Sequence, residues 1–428
     1  MTAPAYVGLA QRSLRLFSSS VMDQVVLSGT NLLFGFVLIR FAGDDDYALY
    51  VLVQSTMLLL VGMQASFLLQ PLAVLTPRLP LEERFKTITA VKETQRRLLR
   101  WIALAALAIP LIGYVTGLWS ALMGMVLATG VLAVWAALRR EYLRTVLLMY
   151  SRPIDLLGAD SIYAGIALLG LAIAVLNGKH AVVGTTLALS VAGWFGASAA
   201  HRSLAKEPGW QQGGTVNNWP EMRRMGFWAL TGATIYWFLG QSYSYILATR
   251  LNLQAVADVN ATRLLLMPAI VVTVGVVSLL GPTAATWYSQ IGSRALVRRL
   301  LNVLLAVALL EILYFVFIWV GREWIIANVL HKQIHDRDLL LLLWGGVATI
   351  ALVRDVLQCA LIAMGHLKSL AGQVGVSAAV AIFIMWFGTD WWGASAVLIG
   401  QIVGELINLG GILLLLGRYT RQASHEAK

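Results

Sequence analysis

Long apolar runs alternate with short polar stretches along the whole chain, and the polar stretches hold most of the arginine and lysine. Each run is close to the length of about 20 residues that a helix needs to cross a bilayer of about 30 Å. The runs fall at 20–41, 48–70, 99–117, 119–138, 156–176, 181–200, 225–248, 256–280, 300–320, 338–363, 369–388 and 393–416, which predicts twelve spans. A membrane β-barrel would show short alternating segments instead, so an all-α polytopic membrane protein is expected. The most polar, glycine-rich stretch is EPGWQQGGTVNNWP at 207–220. It predicts an N-terminal six-helix half at 1–206, a linker at 207–222, and a C-terminal half at 223–428 that ends in a short cytoplasmic tail.

The first pair of runs returns in the second half. LLQPLAV at 68–74 is echoed by LLGPTAA at 279–285, and RRLLRW at 96–101 by RRLLNV at 298–303. Arg40 precedes Pro71 at nearly the spacing at which Arg250 precedes Pro282. Three echoes in one order predict a duplicated half, with two pseudo-symmetric six-helix bundles.

Composition removes the soluble alternative. Of 428 residues, 59% are apolar and 12% charged, and the mean hydropathy is +0.75. An ordinary soluble domain carries about twice that charge. The net charge of +11 would point to nucleic acid in a soluble chain. Here the basic residues cluster between apolar runs, at 76–100, 139–152, 201–224, 283–299 and the C-terminal tail, and these become cytoplasmic loops facing anionic lipid. Both termini are then expected in the cytoplasm, in a multi-pass membrane protein with no nucleic-acid partner. The single Cys359 cannot form an intramolecular disulfide, and no cleavable signal peptide is expected because the first run is of full spanning length.

Polar groups at membrane depth cost several kcal/mol unless they meet a partner or water, so they are the candidate site. Gln24, Ser28, Asn31 and Gly35 form one stripe on the first span. Thr231, Thr234, Gln241 and Tyr245 form another on the seventh, with Trp237 in mid-helix, and Gln401, Glu405 and Asn408 a third on the twelfth. Bridging of neighbouring helices is the plain alternative for each stripe. Arg40 and Arg250 end the first span of each half, Arg263 lies inside the eighth, and Arg354 inside the tenth. A guanidinium stays charged and forks onto phosphate oxygens, so these four suit a substrate bearing phosphate or pyrophosphate; snorkelling to the interface is the alternative for Arg40 and Arg250. Arg354 and its neighbour Asp355 are expected to point apart around their helix and to find partners elsewhere. Asp23, Asp160 and Glu405 are candidates for proton or sodium coupling, each equally able to neutralise an arginine. Pro268 is the expected kink in the eighth span. His331 and His335 have helical spacing but no further ligand pattern, so no metal site is assigned, and no cofactor is expected. No phosphate-binding loop or nucleophile elbow is present and the loops are short, which argues against an enzyme.

Two segments carry a family likeness: RREYLRTVLLMYSRPIDLLGAD at 139–160, and NWPEMRRMGFWALTGATIYWFLGQSYSYILATRLNLQAVADVNATRLLLMP at 218–268. With twelve spans in two halves, they resemble the polysaccharide-transporter branch, the Wzx-type flippases, of the multidrug/oligosaccharidyl-lipid/polysaccharide (MOP) exporter superfamily. The resemblance implies two six-helix lobes around a central cavity. It also implies movement of a polyprenyl-pyrophosphate-linked oligosaccharide across the inner membrane, for exopolysaccharide or lipopolysaccharide biosynthesis, by alternating access. Arg40, Arg250 and Arg263 would then meet the pyrophosphate, and a polysaccharide polymerase or glycosyltransferase is a potential partner. Two other readings stay open: a cation-coupled drug or metabolite exporter of the same superfamily, and a non-transporting scaffold of a polysaccharide synthesis complex.

Overall fold

A computed structural model describes residues 3–76, 79–150, 152–178, 180–207, 210 and 219–426. Most of the predicted linker, at 208–209 and 211–218, therefore lies outside the described residues. Among the described residues the structure is all helical: α1 (Ala3–Phe41), α2 (Asp44–Gln64), a π turn (Ala65–Leu69), α3 (Gln70–Leu75), α4 (Leu81–Val115), α5 (Ala121–Met149), α6 (Pro153–Leu176), α7 (Ala181–Leu204), α8 (Trp219–Arg250), α9 (Leu253–Ile325) with a π turn after it (Ile326–Leu330), α10 (Arg337–Ala363), α11 (Leu367–Trp392) and α12 (Ser395–Glu426). Among the described residues, eleven segments are long and apolar enough to cross a bilayer. The predicted span at 225–248 is helical, as part of α8, but is not among the eleven. Gln241 and the tryptophans, tyrosines, glycines, serines and threonines within 225–248 lower its hydropathy.

Two expectations about loops and kinks are corrected. The basic stretches at 76–100, 139–152 and 283–299 are mostly helix: Lys86 to Arg100 ride on α4, Arg140 and Arg144 on α5, and Arg294 to Arg299 on α9. Their flanking alanines, leucines and straight-chain cations are good helix formers, so the spans simply extend past the apolar run. The backbone also stays helical through Pro268 and leaves the helix at Gly292, where φ is 75°. Only glycine adopts that left-handed conformation without strain, so α9 turns from one crossing to the next on a single residue.

The chain divides into two compact units, 1–234 and 235–428, with the division inside α8. In the first, α7 packs on both α5 and α6, α1 packs on α6, and α2 and α4 pack on α5. In the second, α10 packs on α9 and α12, and α11 packs on α12. The fourth predicted span of each half thus meets the sixth, and the fifth meets the sixth. Small residues allow this approach in both units. A Cβ on Gly170 of α6 would lie 2.4 Å from Ala188 of α7, and one on Gly404 of α12 would lie 2.8 Å from Ala381 of α11.

Pro71 shapes the first unit further. It has no N–H to give to the carbonyl four residues earlier, that of Phe67, and the backbone widens into the π turn just before it. Gly226 of α8 fits against that carbonyl, where a Cβ would lie 2.2 Å from the oxygen. Because the obstacle is backbone, Gly226→Ala is expected to cost about 1–3 kcal/mol through overpacking, read as a lowered melting temperature of the purified protein.

Candidate functional site

Each unit carries a buried ion cluster. In the first, Asp160 of α6 is fully buried and takes both Arg140 Nε at 3.0 Å and Arg144 Nε at 2.6 Å. Arg144 reaches on to Asp23 of α1, with Nη2 donating to Oδ2 at 3.0 Å, and to Glu141 at 3.0 Å. Arg140 lies over the Tyr163 ring at 3.6 Å. Arg140 and Arg144 sit one turn apart on α5, which is why both reach one carboxylate. The second unit repeats the theme. Arg354 of α10 pairs with Glu405 of α12 through Nη1, and Nη2 donates to Tyr236 of α8 at 3.4 Å. Arg354 also turns its Nε to Asp355 at 3.0 Å, so the two neighbours do interact, against expectation. The long guanidinium arm can fold back along the helix and span the angle between adjacent positions. In both units, then, an arginine of the fourth span joins the first span to a carboxylate of the fifth or sixth.

Of the candidate coupling residues, Asp23 and Asp160 fall in one cluster and Glu405 in the other, each bonded to arginine. Buried charges at this depth persist because they neutralise one another. The twelfth-span stripe faces neighbouring helices: Glu405 meets α10, and Asn408 accepts from Gln373 Nε2 of α11.

The remaining arginines differ. Arg250 at the end of α8 pairs with Asp390 of α11 at 2.6 Å in a partly exposed setting and lies 5.2 Å from the Trp386 ring. Such a pair contributes about 0–1 kcal/mol. Arg40 is exposed at the end of α1, 5.3 Å from the Phe41 ring. Arg263 is set apart by its partners. Nη1 donates to Tyr243 Oη at 3.0 Å and lies at the 3.5 Å limit from Gln241 Oε1, the Trp344 ring is 5.4 Å away, and its buried Nε has no hydrogen-bond partner. No carboxylate pairs with it among the described residues. Tyr243 in turn donates to Asn260 at 2.7 Å, which fixes the phenol and presents its oxygen to Arg263. The structure thus joins two predicted residues, Gln241 and Arg263. Trp237 stands on the same helix against Tyr245, with ring centroids 5.7 Å apart. Gln24 and Asn31 are exposed on α1, Gln24 meeting Ser28 at 3.4 Å.

Outside the spans, His335 faces Asp258 at 3.9 Å, and burial pushes the Lys332 ammonium down to about 8. Two further polar residues at membrane depth escape the stripe reading. Arg144 falls in a stretch read as a loop, and Glu311 of α9 interrupts ALLEILYFVF alone, without a polar stripe beside it. A lone charge inside an apolar run was the available signal for Glu311.

No family profile and no curated protein matches the sequence. The fold does find relatives among solved structures. A multidrug resistance MATE family transporter of the MOP superfamily, in an inward-facing conformation, matches with a TM-score of 0.75 over 94% of this chain and 96% of that one, at 12% identity. The lipid II flippase MurJ, in an inward closed conformation, matches with a TM-score of 0.70 over 94% of this chain and 87% of that one, at 10% identity. A variant of the Vibrio cholerae MATE transporter VcmN matches with a TM-score of 0.64 over 97% and 98%, at 14% identity. The fold is shared with these transporter and flippase structures. In this chain the two ion clusters, Arg263 with its phenol and amide partners, and Glu311 are polar features carried on the long apolar helices.

Proposed function

We propose that this chain is a transporter that moves a polyprenyl-pyrophosphate-linked oligosaccharide across the bacterial inner membrane by alternating access, in support of exopolysaccharide or lipopolysaccharide biosynthesis. The observation that carries the reading is Arg263, a guanidinium at membrane depth with no carboxylate partner among the described residues and a free Nε. Such a group attracts an anion, and its planar fork suits pyrophosphate oxygens better than a point charge would. Tyr243, Gln241 and Trp344 around it add a hydroxyl, an amide and an indole face, the groups that recognise sugars and phosphate together. By contrast, Asp23, Asp160 and Glu405 are taken up by arginines, leaving less acidic surface for a cationic drug. A lipid II flippase among the similar folds is consistent with a lipid-linked substrate. Counting α8 as a span gives an even number of crossings, which supports both termini on one face, and the basic stretches favour the cytoplasm for that face.

The test is translocation of a labelled polyprenyl-pyrophosphate oligosaccharide in proteoliposomes of the purified protein, with and without proton and sodium gradients. Protein-dependent movement is the expected result. Absence of movement for several lipid-linked glycans, together with export of a cationic drug, would replace the flippase reading by the exporter one.

A further inference from the structure

Glu311 lies near the middle of the second limb of α9, 311 being well removed from Gly292 at one end and Ile325 at the other. At 1.5 Å per residue, that places it about 20 Å or more from either end of the limb, the depth at which a charge is most costly. Its Oε2 is buried with no hydrogen-bond partner, and no cation pairs with it among the described residues. This separates it from Asp23, Asp160 and Glu405, each of which is bonded to an arginine.

The carboxyl group also has space beside it. Glu311 lines an open-sided cavity of about 350 Å³ between the two limbs of α9 and α10. The cavity exists where α10 presents Gly345 and Gly346; a Cβ on Gly345 would lie 2.4 Å from the Phe315 ring, which sits one turn beyond Glu311. From the first limb of α9 the lining is Leu266 and Ala269, and from α10 its polar member is the Thr349 hydroxyl. Tyr314 is the other titratable group of the lining, and its hydroxyl donates to the Leu265 carbonyl at 2.7 Å. Among the described residues no Lys, Arg, His or second acid lines the space.

That chemistry decides the ligand. A hard metal cation takes about six oxygen ligands. One carboxylate and one threonine hydroxyl cannot supply them, whereas a single carboxyl holds a proton unaided. We infer that Glu311 is a proton-binding site of the second unit, holding its proton while the carboxyl is kept from water and releasing it when water reaches the carboxyl. Coupling of that proton to transport rests on the function proposed above; the binding of the proton does not.

An apolar carbodiimide reads the site directly. The protonated carboxyl adds across the N=C=N group: its oxygen bonds the central carbon, its proton goes to one nitrogen, and the adduct rearranges to an N-acylurea without loss of atoms. With dicyclohexylcarbodiimide on the purified full-length protein, peptide mass spectrometry is expected to find the label on Glu311 at about pH 5. Labelling should fall at least about ten-fold by about pH 9, a span wide enough to titrate a buried glutamate. Glu311→Asp should keep a labelled, pH-dependent carboxyl and Glu311→Gln should lose the label. Absence of label at acid pH, or labelling that does not change with pH, overturns the proposal. In proteoliposomes Glu311→Gln is expected to abolish proton-driven transport while sparing gradient-free substrate exchange. Proton-driven transport equal to wild type overturns the coupling. If the wild-type protein moves no lipid-linked glycan at all, the substrate reading fails and the labelling alone decides the proton site.

Discussion

Asp160→Asn is expected to destabilise the first unit by about 3–5 kcal/mol, the range observed when one partner of a buried ion pair is removed. The change is nearly isosteric, so packing is preserved and the loss reports charge. Asp160 is fully buried and takes a guanidinium on each oxygen. Without its charge, Arg140 loses its carboxylate, and Arg144 is left with Asp23 and the more exposed Glu141. Two cations would then share a setting in which water cannot replace the missing anion. The measurement is denaturant or thermal unfolding of the full-length protein in detergent. The compensating pair Asp160→Asn with Arg140→Leu should recover part of the loss, because it removes the stranded cation as well. A loss below about 1 kcal/mol would mean that the cluster behaves as a solvated surface pair.

Arg263→Ala is expected to lower transport of a pyrophosphate-linked substrate by about ten- to a hundred-fold, since a hydrogen bond to a charged group contributes about 1.5–3 kcal/mol and each 1.4 kcal/mol is a factor of ten. The protein should remain folded, because among the described residues Arg263 has no carboxylate that its removal would strand. Arg263→Lys separates charge from shape. It keeps the cation but loses the fork, so it should restore binding only in part. Proteoliposome translocation together with the melting temperature checks both variants. Full transport by a folded Arg263→Ala protein would remove the arginine from the substrate site and with it the main support for an anionic substrate.

The span pattern could be read from the chain because hydropathy integrates over about 20 residues and tolerates local errors. What a span does at its ends depends on finer signals. Arg140 and Arg144 looked like loop residues because charge marks the edge of an apolar run. The helix carries them on into contact with Asp160, which lies in a different span and gives no local sign of the pairing. Pro268 looked like the break in α9, yet an intramembrane proline can be accommodated within a helix, and the left-handed conformation fell to Gly292. The stripes were legible as polar faces, but which face meets a neighbour is a tertiary matter: Asn408 packs on Gln373, while Asn31 stays exposed. Of the candidate arginines, Arg250 and Arg354 acquired acids from other helices, which no spacing rule links. Glu311 was the most visible in principle, one acid in a run of leucine, isoleucine and aromatics, and its meaning came only with the cavity beside it.

Each ion cluster closes within its own unit, Asp23, Arg140, Arg144 and Asp160 in the first and Arg354, Asp355 and Glu405 in the second. This matters during synthesis, when the N-terminal spans leave the insertion machinery before the C-terminal ones exist. Arg140 and Arg144 have their counter-charges on α1 and α6, so the earlier half can enter lipid already neutralised. The only wait is for α6, which follows α5 after a turn of a few residues, so the exposed cations need shelter for the time it takes to make one further helix. Biogenesis can then proceed half by half, without a chaperone to hold the first set of charges until the chain is complete.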